Sequence, residues 1–122
     1  MKYKTSELAG GLLDAAVAQA MGFPHYCIQP VSPETGKVTC WLKIVESRFS
    51  PSNLWEQGGP IIERERIELT NTENGWYAAV NPWAYYHKSV IGAEAPDGEA
   101  ETPLTAAMRA FVGWKIGAEV VL

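Results

Sequence analysis

Two alternating segments around the pair Asn74-Gly75 constrain the fold most strongly. In the segment ERIELT, Ile67 and Leu69 point to one side of a strand, while the charged residues that flank them point to the other. The segment WYAAV follows directly after the Asn-Gly pair, which supplies the positive φ angles of a type I′ or related tight turn. The sequence therefore predicts an antiparallel β-hairpin that covers a core with one face.

Helices are predicted near both ends of the chain. Residues 6–21 are rich in Ala and Leu and place their apolar side chains on adjacent faces. Gly10 and Gly11 each cost this helix roughly 1 kcal/mol relative to Ala, which indicates either a close approach by another backbone or a helix that begins late. A second helix begins after Thr102, whose hydroxyl can cap it, and ends at Gly117.

These elements predict the α+β class. Two more strands are expected at residues 26–29 and 37–45, and the second alternates cleanly between apolar and polar side chains. The predicted architecture is an antiparallel sheet of about four strands with the N-terminal and the C-terminal helix packed on it. A chain of 122 residues that is 47% apolar has the size and composition of a single domain, residues 1–122. The five tryptophans and the sheet edge favour a homo-oligomer, in which a second copy covers the edge or an aromatic face.

The charge distribution bounds the class of partner. Ten basic and fourteen acidic residues give a net charge of −4, and the basic residues are scattered along the chain. Binding to extended nucleic acid needs a concentrated positive face, so this partner is not expected, whereas one small anion in a local pocket remains open. The basic start MKYKTSELAG is not followed by an apolar run long enough for a signal peptide or a membrane span. The sequence therefore predicts a cytoplasmic protein without a membrane partner.

The segment SPSNLWEQGGP, residues 50–60, is predicted to form a long loop that cradles a ligand. Adjacent glycines let the backbone approach a ligand closely, and the amides between them can form an anion nest. The Ser, Asn and Gln side chains offer donors and acceptors, and the Trp ring offers a flat face for a base. This set suits a nucleotide-like or sugar-like ligand; the alternative is a plain turn whose Trp is anchored in the core. The candidate ligand residues are Ser50, Ser52, Asn53, Trp55, Gln57, Gly58 and Gly59.

The start of the second helix is another candidate for binding an anion. The free N–H groups of a first helical turn, here Thr102 to Thr105, favour a phosphate or a carboxylate. Arg109 follows Thr105 by one turn on the same face, where it can make a bidentate contact to that anion. The alternative is that Arg109 is a surface or salt-bridge residue. Its bearing on function depends on whether the loop at residues 50–60 folds toward it.

A third candidate is the aromatic segment NPWAYYHKS, residues 81–89. Rings beside basic residues can stack on a base and neutralise a phosphate, and they are equally suited to a protein interface or to half-buried packing. The ligand candidates in this segment are Tyr86, His87 and Lys88.

No catalytic residue, cofactor or metal site is assigned. The sequence contains no GxSxG elbow, P-loop, HExxH or dinucleotide-binding fingerprint, so an enzyme is possible but not favoured. Glu56 is the one carboxylate to test as an acid or base. His25, Cys27, Cys40 and His87 match no compact zinc-ligand spacing, and the two cysteines are interpreted as free buried thiols.

Three blocks of the sequence resemble a family of small proteins of tailed phages. They are KTSELAGGLLDAAVAQAMG near the start, SPSNLWEQGGPIIERERIEL in the middle and TPLTAAMRAFVGWKIGAEV near the end. In order and spacing they resemble the NinX-like proteins encoded among phage accessory genes, and the stretch from Trp55 to Glu63 is the specific part. The layout is similar, more loosely, to the phage ABA sandwich domains.

Asn53 departs from the family pattern, which often has Asp there. The amide of Asn53 cannot act as a general base as an aspartate could, but an asparagine can still cap a helix or form a turn.

The resemblance implies a phage accessory protein in the host cell cytoplasm, and it brings no established activity. Small phage accessory proteins often act by binding a host protein or a signalling molecule. One predicted function is non-catalytic binding of a small, anionic, nucleotide-like ligand, by which the protein would sequester a host antiviral defence signal. The alternative is a protein-interaction module that inhibits or redirects a host factor.

Overall fold

The computed structural model describes residues 1–28, 38–80 and 97–122, and within these ranges it contains three α-helices and eight strands. The α+β class predicted from the sequence is confirmed. The helices are α1 (Gly10–Ala20), α2 (Trp55–Glu65) and α3 (Pro103–Lys115), and a 3-10 turn (Thr5–Glu7) precedes α1. The strands are β1 (Lys2–Lys4), β2 (His25–Ile28), β3 (Thr39–Leu42), β4 (Ser47–Phe49), β5 (Ile67–Thr72), β6 (Gly75–Val80), β7 (Asp97–Ala100) and β8 (Glu119–Val121).

The described strands form three antiparallel sheets, where the sequence predicted one sheet of about four strands. β1 pairs with β8, β3 lies between β2 and β4, and β6 lies between β5 and β7. α1 packs on β2 and β3, α3 packs on the β5–β6–β7 sheet, and the two helices pack against each other. Each terminal helix thus covers its own three-stranded sheet, and side chains from both halves join in one buried cluster.

The first helix begins later than its apolar pattern predicted. Gly10, the first residue of α1, has a φ of +55°, and the chain before it forms the 3-10 turn. A Cβ atom at Gly11 would lie less than 3.0 Å from the carbonyl oxygen of Val38, so the helix and the start of the β3 region are in close backbone contact. Both explanations of the glycine pair are therefore correct.

The hairpin of β5 and β6 is confirmed, but its turn differs from the predicted one. Thr72 pairs with Gly75, so Glu73 and Asn74 are the two turn residues. Among the described residues, positive φ values outside glycine occur only at Glu46 and Arg66, so Asn74 does not supply the angle of a type I′ turn. Gly75 itself has a φ of +148°, and a Cβ atom there would lie 2.5 Å from the carbonyl oxygen of Ala100 on β7.

The C-terminal helix agrees with its sequence signals at both ends. Thr102 is the N-cap residue, its hydroxyl accepts a hydrogen bond of 3.3 Å from the N–H of Thr105, and Pro103 begins the helix. Gly117, with a φ of +130°, follows its end. Within the described ranges, none of the helices is long and apolar enough to cross a membrane.

The prediction that residues 50–60 form one loop is wrong, because α2 begins at Trp55. The N–H groups of Asn53 and Leu54 both donate to the carbonyl of Ser50, at 3.0 and 2.8 Å, and form the turn that precedes this helix. Ile61 is buried in the core, and charged residues occupy the exposed side. The Gly-Gly-Pro sequence has a low helix propensity, but tertiary packing of one face of the helix overrides propensity.

Candidate ligand-binding site

The side chain of Arg109 is held in place by two backbone carbonyls. It extends from α3, where Nε donates to the carbonyl of Leu8 at 2.8 Å and Nη1 donates to the carbonyl of Glu99 at 2.6 Å. The side chain is half-buried, and this burial lowers the pKa of the guanidinium below its usual value. The two hydrogen bonds hold the positive charge of Arg109 in a fixed position at the edge of the core.

Among the side chains that the structure describes, which do not include that of Asp97, no acidic one is paired with the positive charge of Arg109. The ion pairs found there join Lys2 with Glu119, and Glu65 with Arg64 and Lys115. A guanidinium has five N–H donors, and the two bonds to carbonyls leave three of them without a partner among these residues. A partly buried charge that lacks a counter-ion favours the binding of an anion.

Arg109 opens into a cleft of about 760 Å³, which is within the range of small-molecule sites. The predicted residues Thr102 and Thr105 line this cleft beside Arg109, so the structure brings the three together. The half-buried ring of Trp76, on β6, also lines it. Trp76 was missed as a site residue, because its approach to α3 depends on the pairing of β6 with β7 and not on any local pattern.

The N-terminus of α3 contributes less to this cleft than its sequence predicted. Thr102 satisfies two donors of the first turn, since its hydroxyl accepts from the N–H of Thr105 and its carbonyl accepts from the N–H of Ala106. Pro103 has no N–H, so Thr102 and Leu104 are the residues of this turn whose N–H groups lack an acceptor in the described ranges. An anion in the cleft would therefore be held mainly by the side chain of Arg109.

Two carboxylates limit the kind of anion that fits. Glu99 and Glu101 line the same cleft as Arg109, together with Asn74 of the hairpin turn. Ionised carboxylates only accept hydrogen bonds, so they suit ligand hydroxyl or amino groups and repel additional negative charge. The cleft thus combines one fixed positive charge with acceptors for the neutral polar part of a ligand.

The polar residues predicted as a ligand cradle are bonded to one another and to the backbone. The N–H of Ser50 donates to Oε1 of Gln57, whose Nε2 donates to the carbonyl of Arg48 at 3.1 Å. Nδ2 of Asn53 donates to Oγ of Ser50 and to Oγ of Ser52, each at 3.3 Å. These bonds fix the turn at residues 50–54 and leave its side chains few groups to offer to a ligand.

The two glycines of the predicted anion nest lie inside α2, and the nest is not formed. Gly58 is buried where α2 crosses the preceding turn: a Cβ atom there would lie less than 3.0 Å from the carbonyl oxygen of Pro51 and 2.7 Å from Cδ2 of Leu104. Gly59 has no atom of another element within 4 Å of its Cβ position. One glycine permits close packing, and the other has no steric role.

Trp55 and Arg109 lie in separate hollows that share Thr102 as a wall. Trp55 is 55% exposed, so it is not the core anchor of the alternative interpretation. With Ser52, Asn53 and Thr102 it lines a hollow of about 270 Å³. The central segment therefore folds toward the start of α3, but it does not enter the Arg109 cleft.

Asp14, on α1, is a buried carboxylate that the sequence interpretation missed. It is 2% exposed; its Oδ1 accepts from the N–H of Ser52 at 2.9 Å, and its Oδ2 accepts from Oγ of Ser50 at 3.3 Å. Burial raises the pKa of Asp14 from 3.8 to about 6, and the bonds to the two serines and the charge of Arg48 oppose this rise only in part. The available signal was that Asp14 is the only charged residue in the helical sequence GGLLDAAVAQA.

Asp14 borders a separate cavity of about 380 Å³, which Arg48, Ser50, Asn53 and Cys40 also line. Perturbed ionisable groups in cavities are candidates for function, and a carboxyl group that titrates near pH 6 can exchange a proton at neutral pH. Both oxygens of Asp14 already have hydrogen-bond donors, so the arrangement serves first to hold the turn at residues 50–54 against α1.

Three predicted site residues, Tyr86, His87 and Lys88, lie outside the described residues. No metal site was predicted from His25, Cys27, Cys40 and His87, and the last of these also lies outside the described residues. Within the described ranges, His, Cys, Asp and Glu form no group of three or more that could hold a metal ion.

The sequence model of the family described as Bacteriophage P22, NinX matches residues 4–115. The match includes Asp14, α2 and the Arg109 cleft, and it confirms the resemblance expected from the three sequence blocks. A comparison of the chain with curated proteins finds no match.

Proposed function

The chain belongs to the NinX family of phage proteins, and from that premise we propose that it binds a small, anionic, nucleotide-like molecule without chemically changing it. The binding site is the cleft at the start of α3. The observation that carries this proposal is the guanidinium of Arg109, which is fixed by two carbonyls and has no carboxylate partner among the side chains that the structure describes. The phosphate of a nucleotide supplies the missing negative charge.

The other walls of the cleft favour a nucleotide over inorganic phosphate. The ring of Trp76 offers a face on which a nucleobase can stack, and base stacking on aromatic rings typically contributes roughly 1–3 kcal/mol per base. Glu99 and Glu101 can accept hydrogen bonds from ribose hydroxyls or from an exocyclic amine. The same two carboxylates disfavour a triphosphate, so we expect ligands with one negative charge per phosphate, such as cyclic nucleotides, to bind better than monophosphates, which carry about −1.5 to −2 at pH 7.

The biological role that we propose is sequestration of a nucleotide-like signal of host antiviral defence in the host cytoplasm. A phage protein that binds such a signal lowers its free concentration without any reaction, which agrees with a site that has an anion-binding side chain but no assigned nucleophile. The identity of the signal and the number of copies in the assembly follow from one measurement. Native mass spectrometry of the protein purified from infected cells, followed by denaturing release, gives both the bound molecule and the oligomer mass.

We predict that an acidic residue at position 105 weakens binding strongly, while its neutral isostere does not. Thr105→Glu and Thr105→Gln both complete the capping box T-x-x-E/Q with Thr102, so the helix is retained in both variants. The new carboxylate of Thr105→Glu faces the anion beside Arg109, and we expect at least roughly tenfold weaker binding than in Thr105→Gln. Isothermal titration calorimetry with nucleoside monophosphates, cyclic nucleotides, ATP and inorganic phosphate measures the difference.

Arg109→Lys extends this test, because a lysine keeps the charge but loses the planar fork. We expect an affinity about 10- to 100-fold lower for the best nucleotide. Arg48→Lys, in the cavity beside Asp14, is the control and should bind normally. Equal affinities of Thr105→Glu and Thr105→Gln would show that the anion binds elsewhere, and binding of none of the nucleotides would refute the proposal.

A protein-interaction module remains the second candidate because of the turn between β3 and β4. Ile44 and Val45 are adjacent in this turn and are 82% and 62% exposed. Two neighbouring exposed aliphatic side chains suit contact with another protein. If the protein redirects a host factor, Ile44→Ser with Val45→Ser should prevent its capture from host lysate, while Thr105→Glu should not. Capture that is unchanged by the turn variant would exclude this surface.

A further inference from the structure

Cys27 and Cys40 lie directly opposite each other on β2 and β3. The register pairs His25 with Leu42 and Cys27 with Cys40. One step earlier, the N–H of Lys43 donates to the carbonyl of Pro24 at 2.9 Å, so Pro24 and Lys43 form a hydrogen-bonded pair. Hydrogen-bonded and non-hydrogen-bonded pairs alternate along an antiparallel ladder. Counting from that pair, the two cysteines form a non-hydrogen-bonded pair.

This position allows a disulfide without movement of the strands. Residues of a non-hydrogen-bonded pair have Cα atoms about 4.5 Å apart and side chains on the same face of the sheet. Disulfides span Cα distances of about 4.4–6.8 Å. In the structure both cysteines are free thiols; Cys40 is 1% exposed and Cys27 is half-buried. The two thiols are therefore neighbours, and one of them is accessible from solvent.

We propose that Cys27 and Cys40 are an oxidation site of this protein, at which a reversible intramolecular disulfide forms across β2 and β3. The oxidant is a low-molecular-weight disulfide such as oxidised glutathione. This site is independent of the Arg109 cleft, because neither cysteine lines that cleft. The other candidate role of the two cysteines, a shared metal site, has no third ligand of the His, Cys, Asp or Glu type in the described ranges.

The reaction proceeds by two thiol–disulfide exchanges. The more accessible Cys27 loses its proton to solvent, and its thiolate attacks one sulfur of oxidised glutathione; a Cys27–glutathione bond forms and one glutathione thiolate leaves. The thiolate of Cys40 then attacks Sγ of Cys27, forms the cross-strand bond and releases the second glutathione. The two cysteines lose two electrons and two protons in total, and the glutathione disulfide gains them as two thiols.

The surroundings of the pair make the reaction slow at neutral pH. Burial and the nearby Asp14 raise the pKa of Cys27, and burial, Cys27 and Asp14 raise the pKa of Cys40 to about 12. Few thiolates exist at neutral pH, so oxidation needs hours rather than seconds, or a mildly alkaline solution. The buried bond, once formed, is shielded from reducing thiols on its Cys40 side.

The test uses the folded chain of 122 residues. It is incubated at pH 8 with oxidised glutathione, remaining thiols are alkylated with iodoacetamide, and the intact mass and the cysteine peptides are analysed. We expect a monomer two hydrogens lighter than the reduced chain, with no alkylation and with Cys27 linked to Cys40, and dithiothreitol should reverse the change. In Cys27→Ala, Cys40 should stay alkylatable after denaturation. Two alkylatable thiols in the wild type, a stable glutathione adduct or a linked dimer would each overturn the proposal.

Thermal unfolding gives a second readout that does not depend on chemical mapping. A disulfide that fits the native strands restricts mainly the unfolded chain, so oxidation should raise the Tm of the wild type by roughly 5–10 °C. The same treatment should leave the Tm of Cys27→Ala and of Cys40→Ala unchanged. A lower Tm of the oxidised wild type would show that the bond distorts the strands, and would contradict the native geometry on which the proposal rests.

Discussion

The substitution Gly58→Ala is expected to lower the free energy of unfolding by about 2 kcal/mol, although alanine has the higher helix propensity. An added Cβ would lie less than 3.0 Å from the carbonyl oxygen of Pro51, which is backbone and cannot rotate away. It would also lie 2.7 Å from Cδ2 of Leu104 on α3. Overpacking of this kind typically costs roughly 1–3 kcal/mol or more, which exceeds the gain of about 1 kcal/mol from replacing glycine in a helix.

Gly59→Ala is the matched control, because it makes the same change one residue later on the same helix. No atom of another element lies within 4 Å of its Cβ position, so the added methyl group meets only the ring of Pro60, which disfavours helical backbone at a preceding residue that has a Cβ. We expect this local cost to offset most of the gain in helix propensity, so that the variant stays within about 0.5 kcal/mol of the wild type. Urea unfolding of the three proteins followed by circular dichroism measures both changes. If both variants gained stability, or if both were neutral, the result would contradict the close packing of Gly58 against the carbonyl oxygen of Pro51.

The elements that the sequence predicted well are those with local signals. The cap at Thr102 and the proline after it define the start of α3, and the alternation of Ile67 and Leu69 defines β5. The late start of α1 was one of the two explanations that the sequence offered for the pair Gly10 and Gly11. In each case, hydrogen bonds and apolar contacts between near neighbours in sequence decide the structure, so a pattern of a few residues contains the information.

The central segment was misread because its decisive contacts are not local. Its glycines and Pro60 give the composition of a turn, while helix formation there depends on burying Ile61 and on the approach of Gly58 to Pro51. The division of the strands into separate sheets depends in the same way on which helix each strand contacts. Neither kind of contact leaves a periodic signal in the segment itself.

The residues of the candidate site also differ in whether their sequence signal is local. Thr102, Thr105 and Arg109 were identified together because residues three and four apart share one face of a helix. Trp76 joins them only through the pairing of β6 with β7. Asp14 is buried because the turn at Ser50 and Ser52, more than thirty residues later, closes over it with its own hydrogen bonds. Sequence spacing alone does not contain these two contacts.

Asp14→Asn is expected to stabilise the protein more at pH 8 than at pH 4, and the difference should be about 2.5 kcal/mol. The folded state holds the pKa of Asp14 at about 6, above the 3.8 of an unperturbed Asp. The unfolded chain therefore ionises first as the pH rises. The carboxyl group is neutral in both states only well below pH 3.8, and at pH 4, where the unfolded chain is partly ionised, about 0.5 kcal/mol of the cost is already present. Between about pH 4 and 6 the folded protein loses stability, and above about pH 6 the full cost of the buried charge is present.

The size of this effect follows from the two pKa values. The interval from 3.8 to about 6 corresponds to about 3 kcal/mol, at about 1.4 kcal/mol per pKa unit. An asparagine has nearly the same shape and can still accept from the N–H of Ser52, but it carries no charge at any of these pH values. Any fixed cost of rearranging the bond to Ser50 is the same at pH 4 and pH 8, so it cancels in the comparison.

Urea unfolding of the wild type and Asp14→Asn at intervals from pH 4 to 8 measures this difference directly. Other carboxylates titrate equally in both proteins and do not contribute to it. Glu56→Gln, which removes a carboxylate from the exposed side of α2, is the control and should keep the pH profile of the wild type. If the stabilities of Asp14→Asn and the wild type ran parallel across this range, Asp14 would be ionised at little cost in the folded protein.

A confirmed difference would mean that the protein retains a destabilising charge beneath the Ser50 turn at neutral pH. Since natural proteins keep such charges mainly at sites with a function, the Asp14 cavity would then be the next place to look for a second ligand.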